Sequence, residues 1–447
     1  MPELHELPWD AIVLGAGISG LISASLLCRQ GLRRVLVIDE YDTVGGNHIC
    51  CDIGPYTFDV GCFTFADNSA IIKHFPGLLH RYLSVSKLAE RIAPDGKLRK
   101  YPFSFRDEVV AAGTSEWIAV LASILLSRLF IDRITNADEF ARYWLGRRIY
   151  ERSGLANYIE RFHGAKPWEI DGVFAEKRMA FVSNGASVRK RIAKMFQVRR
   201  SQKSLRPVQT LIRPRDGFPK LYDEAVQDLE SSGVTFCLGV RMHSVTRNGS
   251  CLQIETDTLQ ATSPRVIATI PLTRTLQLCR LRDNGAMPTV TLISLFLTFK
   301  GKRGFSSNIL YNFSRNGEWK RLTMYSDFYG SVEGREYFTA EVNLVESERS
   351  GQAEEEIRIL FENFQADVAS KGLFTGQLTL EGSHVLQNGY PIYRKGAAEA
   401  AAEAIRSLND FGVESFGRQG GFDYLPSVAS VASVVEEKLR MPGRPAK

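Results

Sequence analysis

Ala11-Ile12-Val13-Leu14-Gly15-Ala16-Gly17-Ile18-Ser19-Gly20 is the stretch on which the fold turns. The apolar run Ala11 to Leu14 follows Trp9 and Asp10 and reads as a buried parallel strand. The glycines follow at once. Leu21 to Arg29, rich in Leu and Ala, reads as a helix, and Arg34 to Asp39 as a second strand. Strand, tight glycine turn, helix and strand in that order are the context that a dinucleotide fingerprint requires. Gly15 permits the turn, Gly17 lets backbone approach a pyrophosphate, and Gly20 lets helix and sheet pack closely. The helix N-terminus, with Ile18 and Ser19 in its first turn, then faces the phosphates. Asp39, with Glu40 beside it, ends the second strand, where a carboxylate can accept hydrogen bonds from an adenosine ribose.

The next segment, Asp39-Glu40-Tyr41-Asp42-Thr43-Val44-Gly45-Gly46-Asn47, separates cofactors. Paired glycines let backbone amides crowd a ligand without side-chain clash. The segment resembles the second glycine motif of flavoproteins with two dinucleotide-binding motifs, and that resemblance implies FAD rather than a mobile NAD. His48, next in line, is open to two readings, a packing or surface residue or an approach to the flavin edge.

Further patches resemble the UDP-galactopyranose mutase group, within the wider protoporphyrinogen-oxidase and amine-oxidase-like flavoproteins. These are Gly61 to Phe65; Asp95-Gly96-Lys97-Leu98 with Tyr101-Pro102-Phe103; Phe140 to Arg178; Arg215 to Leu221; Val266 to Pro271; Asn308 to Phe328; and Gly417 to Tyr424. Asp95-Gly96 also reads as a hairpin turn on its own. The resemblance implies that Arg178 and Arg321 face the substrate, Arg321 on a diphosphate, and that Tyr390 and Tyr393 lie there too, on the diphosphate in a mutase or as a polar wall in an oxidase, with an aromatic core pair as the alternative. It also implies that Arg418 and Tyr424 hold FAD and that the Val240 backbone meets adenine. Arg418 is chemically suited to neutralise a pyrophosphate or flavin charge. Two positions depart from the mutase pattern. Cys62 or Phe63 stands where a histidine is expected, and Val182 where an arginine is expected.

The chain has 447 residues, 44% hydrophobic and 24% charged, enough for two domains or for one with a large insertion. The expected class is α/β. A Rossmann-like FAD-binding domain is built from 1–95, 210–275 and 400–447. A helical cap at 105–205 and a mixed-sheet substrate domain at 285–395 are inserted into it. The run Trp117 to Leu126 is almost wholly apolar and reads first as a buried helix, with contact to a membrane surface or an apolar substrate as the alternative.

Net charge is +6, which favours an anionic ligand without selecting one. From Arg189 to Arg215 no acid interrupts a series of lysines and arginines. A solvated linker is the first reading of 189–215. Docking to a membrane surface or a carrier protein, or an entrance for an anionic small-molecule substrate, stays open. Sparse aromatics argue against nucleic acid. The 7 cysteines form no CxxC pair, so no metal site is expected; reduced thiols and a cytoplasmic setting, with peripheral membrane association left open, are the default.

Three functions remain in competition. The first is an FAD-dependent oxidoreductase passing hydride from an organic substrate such as an amine, a sugar nucleotide or a biosynthetic intermediate. The second is a mutase-like sugar-nucleotide isomerase using reduced FAD. The third is a non-catalytic binding protein stabilised by FAD.

Overall fold

A computed structural model describes residues 8–61, 64–102, 117–178, 209–345, 354–425 and 427–440. At its centre is a five-stranded sheet in the order Val234–Cys237, Val35–Ile38, Ala11–Leu14, Val266–Ala268, Val413–Ser415. Every neighbouring pair is parallel. Ala11–Leu14 and Val35–Ile38 are buried throughout, as strands covered on both faces must be. Helices Ile18–Arg29, Gly217–Ser231 and Val428–Lys438 close one face around Leu21, Leu221, Tyr222 and Val431. The other face carries the three-stranded sheet Met242–Asn248, Cys251–Thr256, Gln260–Ser263 and helices Leu272–Leu278 and Ala397–Phe411. This is the expected Rossmann-like α/β class.

The second large layer is a seven-stranded sheet. Its order is Phe374–Pro391, Thr289–Arg303, Glu336–Val345, Trp319–Met324, Ile309–Asn312, Ala89–Ile92, Leu98–Lys100. Thr289–Arg303 shows why this sequence makes a central strand. Ile293, Leu295, Leu297 and Phe299 point to one face and pack with Leu360, Phe364 and Val368 of helix Glu354–Ser370. Leu292 and Phe296 point to the other face and meet Phe58 and Tyr325. Alternate residues therefore fill two cores, the period of two that a strand dictates. The Asp95-Gly96 turn joins Ala89–Ile92 to the edge strand Leu98–Lys100, with Gly96 at φ +77°. Ala89–Ile92 pairs with Ile309–Asn312.

A helical layer, Ala137–Ser153, Leu155–His163 and Gly172–Arg178, packs with Ile309, Tyr311 and Phe313. Helix Trp117–Phe130 lies on its outside. The reading of that apolar run as buried needs correction. Among its described side chains Val120 and Ile124 are buried, whereas Leu125 is 68% and Leu129 70% exposed. One neighbouring helix covers one stripe, and the sequence is apolar all round.

Arg213 also departs from the solvated-linker reading. It is buried, with Nε 2.5 Å from Asp59 Oδ1 and Nη2 donating to the Thr57 carbonyl at 2.9 Å. Its guanidinium lies over the Tyr329 ring at 4.8 Å. Residues 189–208 of the basic segment lie outside the described residues. Breaking a buried pair costs more than the pair is worth, because the surviving charge is stranded. Asp59→Asn should therefore destabilise the fold by about 3–5 kcal/mol. A thermal melt checks this, and an unchanged midpoint would show that Asp59 is not what holds Arg213.

Candidate functional site

The glycine turn after Ala11–Leu14 is assembled by contacts that exclude side chains. A Cβ on Gly20 would lie 1.8 Å from the Gly15 carbonyl oxygen, and one on Gly15, at φ +107°, 2.5 Å from Thr269 Oγ1. The second glycine pair crosses this turn. The Gly45 amide donates to the Ala16 carbonyl at 2.9 Å, and Gly17 and Gly45 form a parallel bridge. A Cβ on Gly46, at φ +59°, would stand 2.9 Å from Gly17 Cα. Gly417 belongs to the same crossing, since its Cβ would meet Ser19 Oγ at 2.4 Å.

Asp39 ties the crossing together. Its Oδ2 accepts from the Ala16 amide at 2.5 Å and its Oδ1 from the Tyr41 amide at 2.9 Å. Burial raises its pKa, and these amides work against the rise. The carboxylate expected on a ribose is thus engaged with the turn's own backbone. Glu40, beside it, pairs with Arg274 at 2.8 Å. Arg274 also donates to the Met242 carbonyl at 2.7 Å.

Over this crossing lies a cleft of about 930 Å³. Gly15, Gly17, Ile18, Ser19, Asp39, Glu40, Gly45, Gly46, Asn47 and Arg418 all line it. Gly20 sits beneath the turn rather than on the wall. Residues from distant segments also line it, among them Met242, Thr269 to Pro271 with Arg274, Gln387 with Asn388, and Gln419. Arg274 went unrecognised in the sequence; its one signal is its place three residues beyond the strand-end proline. Val240 does not reach the wall. Its side chain is buried, and its amide donates to the Asp39 carbonyl at 3.2 Å.

His48 also lines the cleft. It stacks on Phe218 at 5.2 Å and shares a 2.5 Å hydrogen bond through Nδ1 with the Tyr222 hydroxyl. Burial, and secondarily the Arg418 charge, push its pKa down to about 3, so the ring is neutral at physiological pH. Arg418 itself donates from Nε and Nη2 to the Leu425 carbonyl at 3.1 and 2.5 Å.

The substrate-side candidates group elsewhere. Arg321 and Lys320 sit on a bulge in Trp319–Met324, where the register against Glu336–Val345 slips between Trp319 and Arg321. A bulge turns consecutive side chains to one side. Both cations reach the buried Glu341, Arg321 Nη2 at 2.6 Å and Lys320 Nζ at 3.1 Å. Burial pulls Lys320 down to about 8, with Glu341 opposing. Burial works against the Glu341 carboxylate, but Arg321 and then Lys320 outweigh it and hold it below its usual range. Lys320 lies 4.9 Å from the ring centres of both Phe162 and Tyr390. Tyr424 packs against Tyr390 at 6.3 Å, and its amide donates to the Tyr393 hydroxyl at 2.8 Å. Tyr393 is turned into the helical core. It stacks on Phe174 at 4.1 Å and donates to the Phe422 carbonyl at 2.5 Å. Arg178 ends helix Gly172–Arg178, but its side chain, like Cys62, Phe63 and Val182, lies outside the described residues.

The two regions are joined by strand Phe374–Pro391. Asn388 is on the cleft wall, its carbonyl accepting from Gln419 Nε2 at 2.8 Å, and Tyr390 follows two residues on. Among the described residues no cluster of His, Cys, Asp or Glu could hold a metal ion.

With this geometry in place, comparisons with known proteins are informative. The NAD(P)-binding Rossmann-like domain family matches residues 13–75. A prolycopene isomerase of Arabidopsis thaliana is 43% identical over 65 residues, 14% of this chain and 11% of that protein. The chain therefore spans about a tenth of the curated relatives it matches. Solved structures share the fold over nearly the whole chain. A reduced UDP-galactopyranose mutase has a TM-score of 0.74 at 17% identity, covering 97% of this chain and 95% of that one. A protoporphyrinogen-oxidase-type protein of Exiguobacterium sp. 255-15 follows at 0.67 and 16%, covering 96% and 98%. Putrescine oxidase with putrescine bound gives 0.60 and 14%, covering 97% and 98%. These likenesses show the fold that the chain shares with those structures.

The glycine crossing fits FAD. Its backbone is open where a pyrophosphate would lie, and a cation, Arg418, borders the cleft. Its volume is at the upper end for small-molecule sites. Gly46→Val should abolish flavin binding, because the new side chain meets backbone that cannot move aside; retention of the yellow colour at full stoichiometry would sink the assignment.

His48 gives a pH signature. Unfolded, it takes up a proton near 6.5; folded, only near 3. Its contribution to stability is complete above pH 6.5 and is lost as pH falls toward 3, by about 1.4 kcal/mol per unit. His48→Gln should flatten that part of the acid-unfolding profile.

Proposed function

We propose that this protein is an FAD-dependent oxidoreductase that takes hydride from a small anionic organic substrate. The observation that carries the reading is the crossing of Gly15–Gly20 with Gly45–Gly46 beneath a cleft of about 930 Å³ bordered by Arg418. The N-terminus of helix Ile18–Arg29 and the glycine amides would hold the pyrophosphate. Arg418 would balance its charge, and Glu40 with Arg274 would border the adenosine end. Bound there, FAD supplies an acceptor for two electrons and a proton.

What the chain adds is binding, orientation and charge. The neutral His48 offers an uncharged edge on the cleft wall. Strand Phe374–Pro391 leads from Asn388 on that wall to Tyr390, and Tyr390 borders the Lys320–Arg321 pair. A substrate with a carboxylate or phosphate would set its anion on these cations and its remaining surface against Tyr390 and Phe162. Arg321 is the stronger specificity element, since a guanidinium binds such anions in a fixed planar geometry.

A second reading, a mutase-like sugar-nucleotide isomerase, is favoured by one feature. Two cations on one bulge suit a diphosphate better than a single carboxylate.

One set of assays separates these. Under anaerobic conditions, bleaching of the visible flavin band by amine, alcohol or sugar-nucleotide donors is the result expected of an oxidoreductase. Interconversion of UDP-galactopyranose and UDP-galactofuranose by the dithionite-reduced protein, without net bleaching, would replace that reading with the isomerase. Neither reaction, with flavin still bound, would leave the non-catalytic role. For whichever substrate is turned over, Arg321→Ala should raise KM at least about tenfold, the loss of a charge-assisted contact. An unchanged KM would remove Arg321 from the site.

A further inference from the structure

The outer face of helix Trp117–Phe130 serves no part of the cofactor cleft. Ile118 is 79% exposed, Leu121 52%, Leu125 68%, Leu126 53%, Leu129 70% and Phe130 78%. Ile118, Leu125 and Leu129 stand at i, i+7 and i+11, one stripe along the helix, with Leu121 and Leu126 on its flanks. Apolar surface gathered like this on one element marks a binding surface rather than scattered exposure.

The helix is held in this attitude by a specific device. Its partner, Ala137–Ser153, breaks its helical conformation at Gly146, which sits at φ +71° and ψ 154°. A Cβ at Gly146 would lie 2.8 Å from Ile124 Cγ1 and 2.9 Å from the Ile124 amide nitrogen. The kink thus lets the apolar helix come down backbone-close on its Ile124 side. That contact fixes the opposite stripe outward.

Charge then selects the partner. Between the two helices runs a cleft whose wall carries Arg142, Arg147, Arg148, Arg152 and Arg315, alongside Leu126 and Phe130. The acids on that wall are Asp95 and Glu151, and Glu151 pairs with Arg147 at 2.7 Å. Asp138 pairs with Arg142 at 3.0 Å. Arginines outnumber these acids beside the apolar stripe. Apolar side chains flanked by cations are the composition of a helix lying in a lipid interface. Arginine stems can lie along the acyl boundary with their heads among lipid phosphates. A two-fold dimer through the same face would set this arginine wall against its own copy. The helix has 14 residues, about 21 Å long, and no helix of the described residues is long and apolar enough to cross a membrane.

We propose that this face docks the protein on an anionic lipid bilayer, with helix Trp117–Phe130 lying in the plane of the interface. Leu125 and Leu129 enter the acyl boundary, and the neighbouring arginines meet the headgroups. The proposal does not depend on which reaction the enzyme catalyses.

Co-sedimentation of the full-length protein with vesicles tests it. Phosphatidylcholine vesicles containing phosphatidylglycerol should retain the protein at least tenfold more strongly than pure phosphatidylcholine, with binding weakened by added salt. Leu125→Asp with Leu129→Asp should cut binding at least tenfold. Both positions are exposed, so the melting temperature should hold; Leu125→Ser with Leu129→Ser, a milder pair, should weaken binding in the same direction. Arg148→Glu with Arg152→Glu should remove most of the preference for the anionic vesicles. Equal and weak retention on both vesicle types would overturn the proposal. So would a wild-type dimer that the aspartate pair converts to monomer while vesicle binding stays unchanged, since a second copy would then be the occupant.

Discussion

One buried carboxylate organises the glycine crossing of this molecule. Asp39 accepts the amides of Ala16 and Tyr41, the first inside the glycine turn and the second just before the Gly45-Gly46 pair. A hydrogen bond to a charged group is worth about 1.5–3 kcal/mol, and leaving the group unsatisfied in the interior costs at least as much. Asp39 therefore pins two loops to each other from the end of one strand. The crossing of Gly17 with Gly45 and Gly46 follows from that pin. So does the line of backbone from which a phosphate can be held. The C-terminal Gly417 fits against Ser19 in the same crossing.

The seven-stranded sheet supplies what the nucleotide fold lacks. Its bulge in Trp319–Met324 brings two cations to Glu341, and buried charges are tolerated only when paired in this way. Phe162 and Tyr390 surround Lys320 and reduce its exposure to water, which strengthens any anion contact made there. Strand Phe374–Pro391 runs from the cleft wall to this pair and so connects the cleft with the two cations through one element. Folds of this type host oxidation and isomerisation alike, and the chemistry lies in such local arrangements.

The helical layer shows a different compromise. Gly146 gives up regular helix so that Ile124 can approach, and most of the apolar surface of Trp117–Phe130 stays in water. Exposed leucines at this density carry a solubility cost that a purely structural helix would not need. The Arg213–Asp59 pair is the reverse case, a charge from a basic stretch drawn inside because a partner 154 residues away was waiting for it.

The sequence by itself determined what is local. Strand, glycine turn, helix and strand from Ala11 to Asp39 are read off because each residue's role depends on neighbours within a few turns of chain. The same holds for the Asp95-Gly96 hairpin and for the alternation of Thr289–Arg303. Tertiary structure decided whatever depends on a partner distant in sequence. Asp39 is a chemically suitable ribose ligand until the fold brings the Ala16 amide to it. Arg274 carries no local signal beyond its place after Pro271, and only the folded chain sets it on the cleft wall beside Glu40. The apolar run from Trp117 calls for burial on every side, yet hydrophobicity states only that surface prefers to leave water. What covers it is settled by which elements the fold places alongside, and here one kinked helix covers one face.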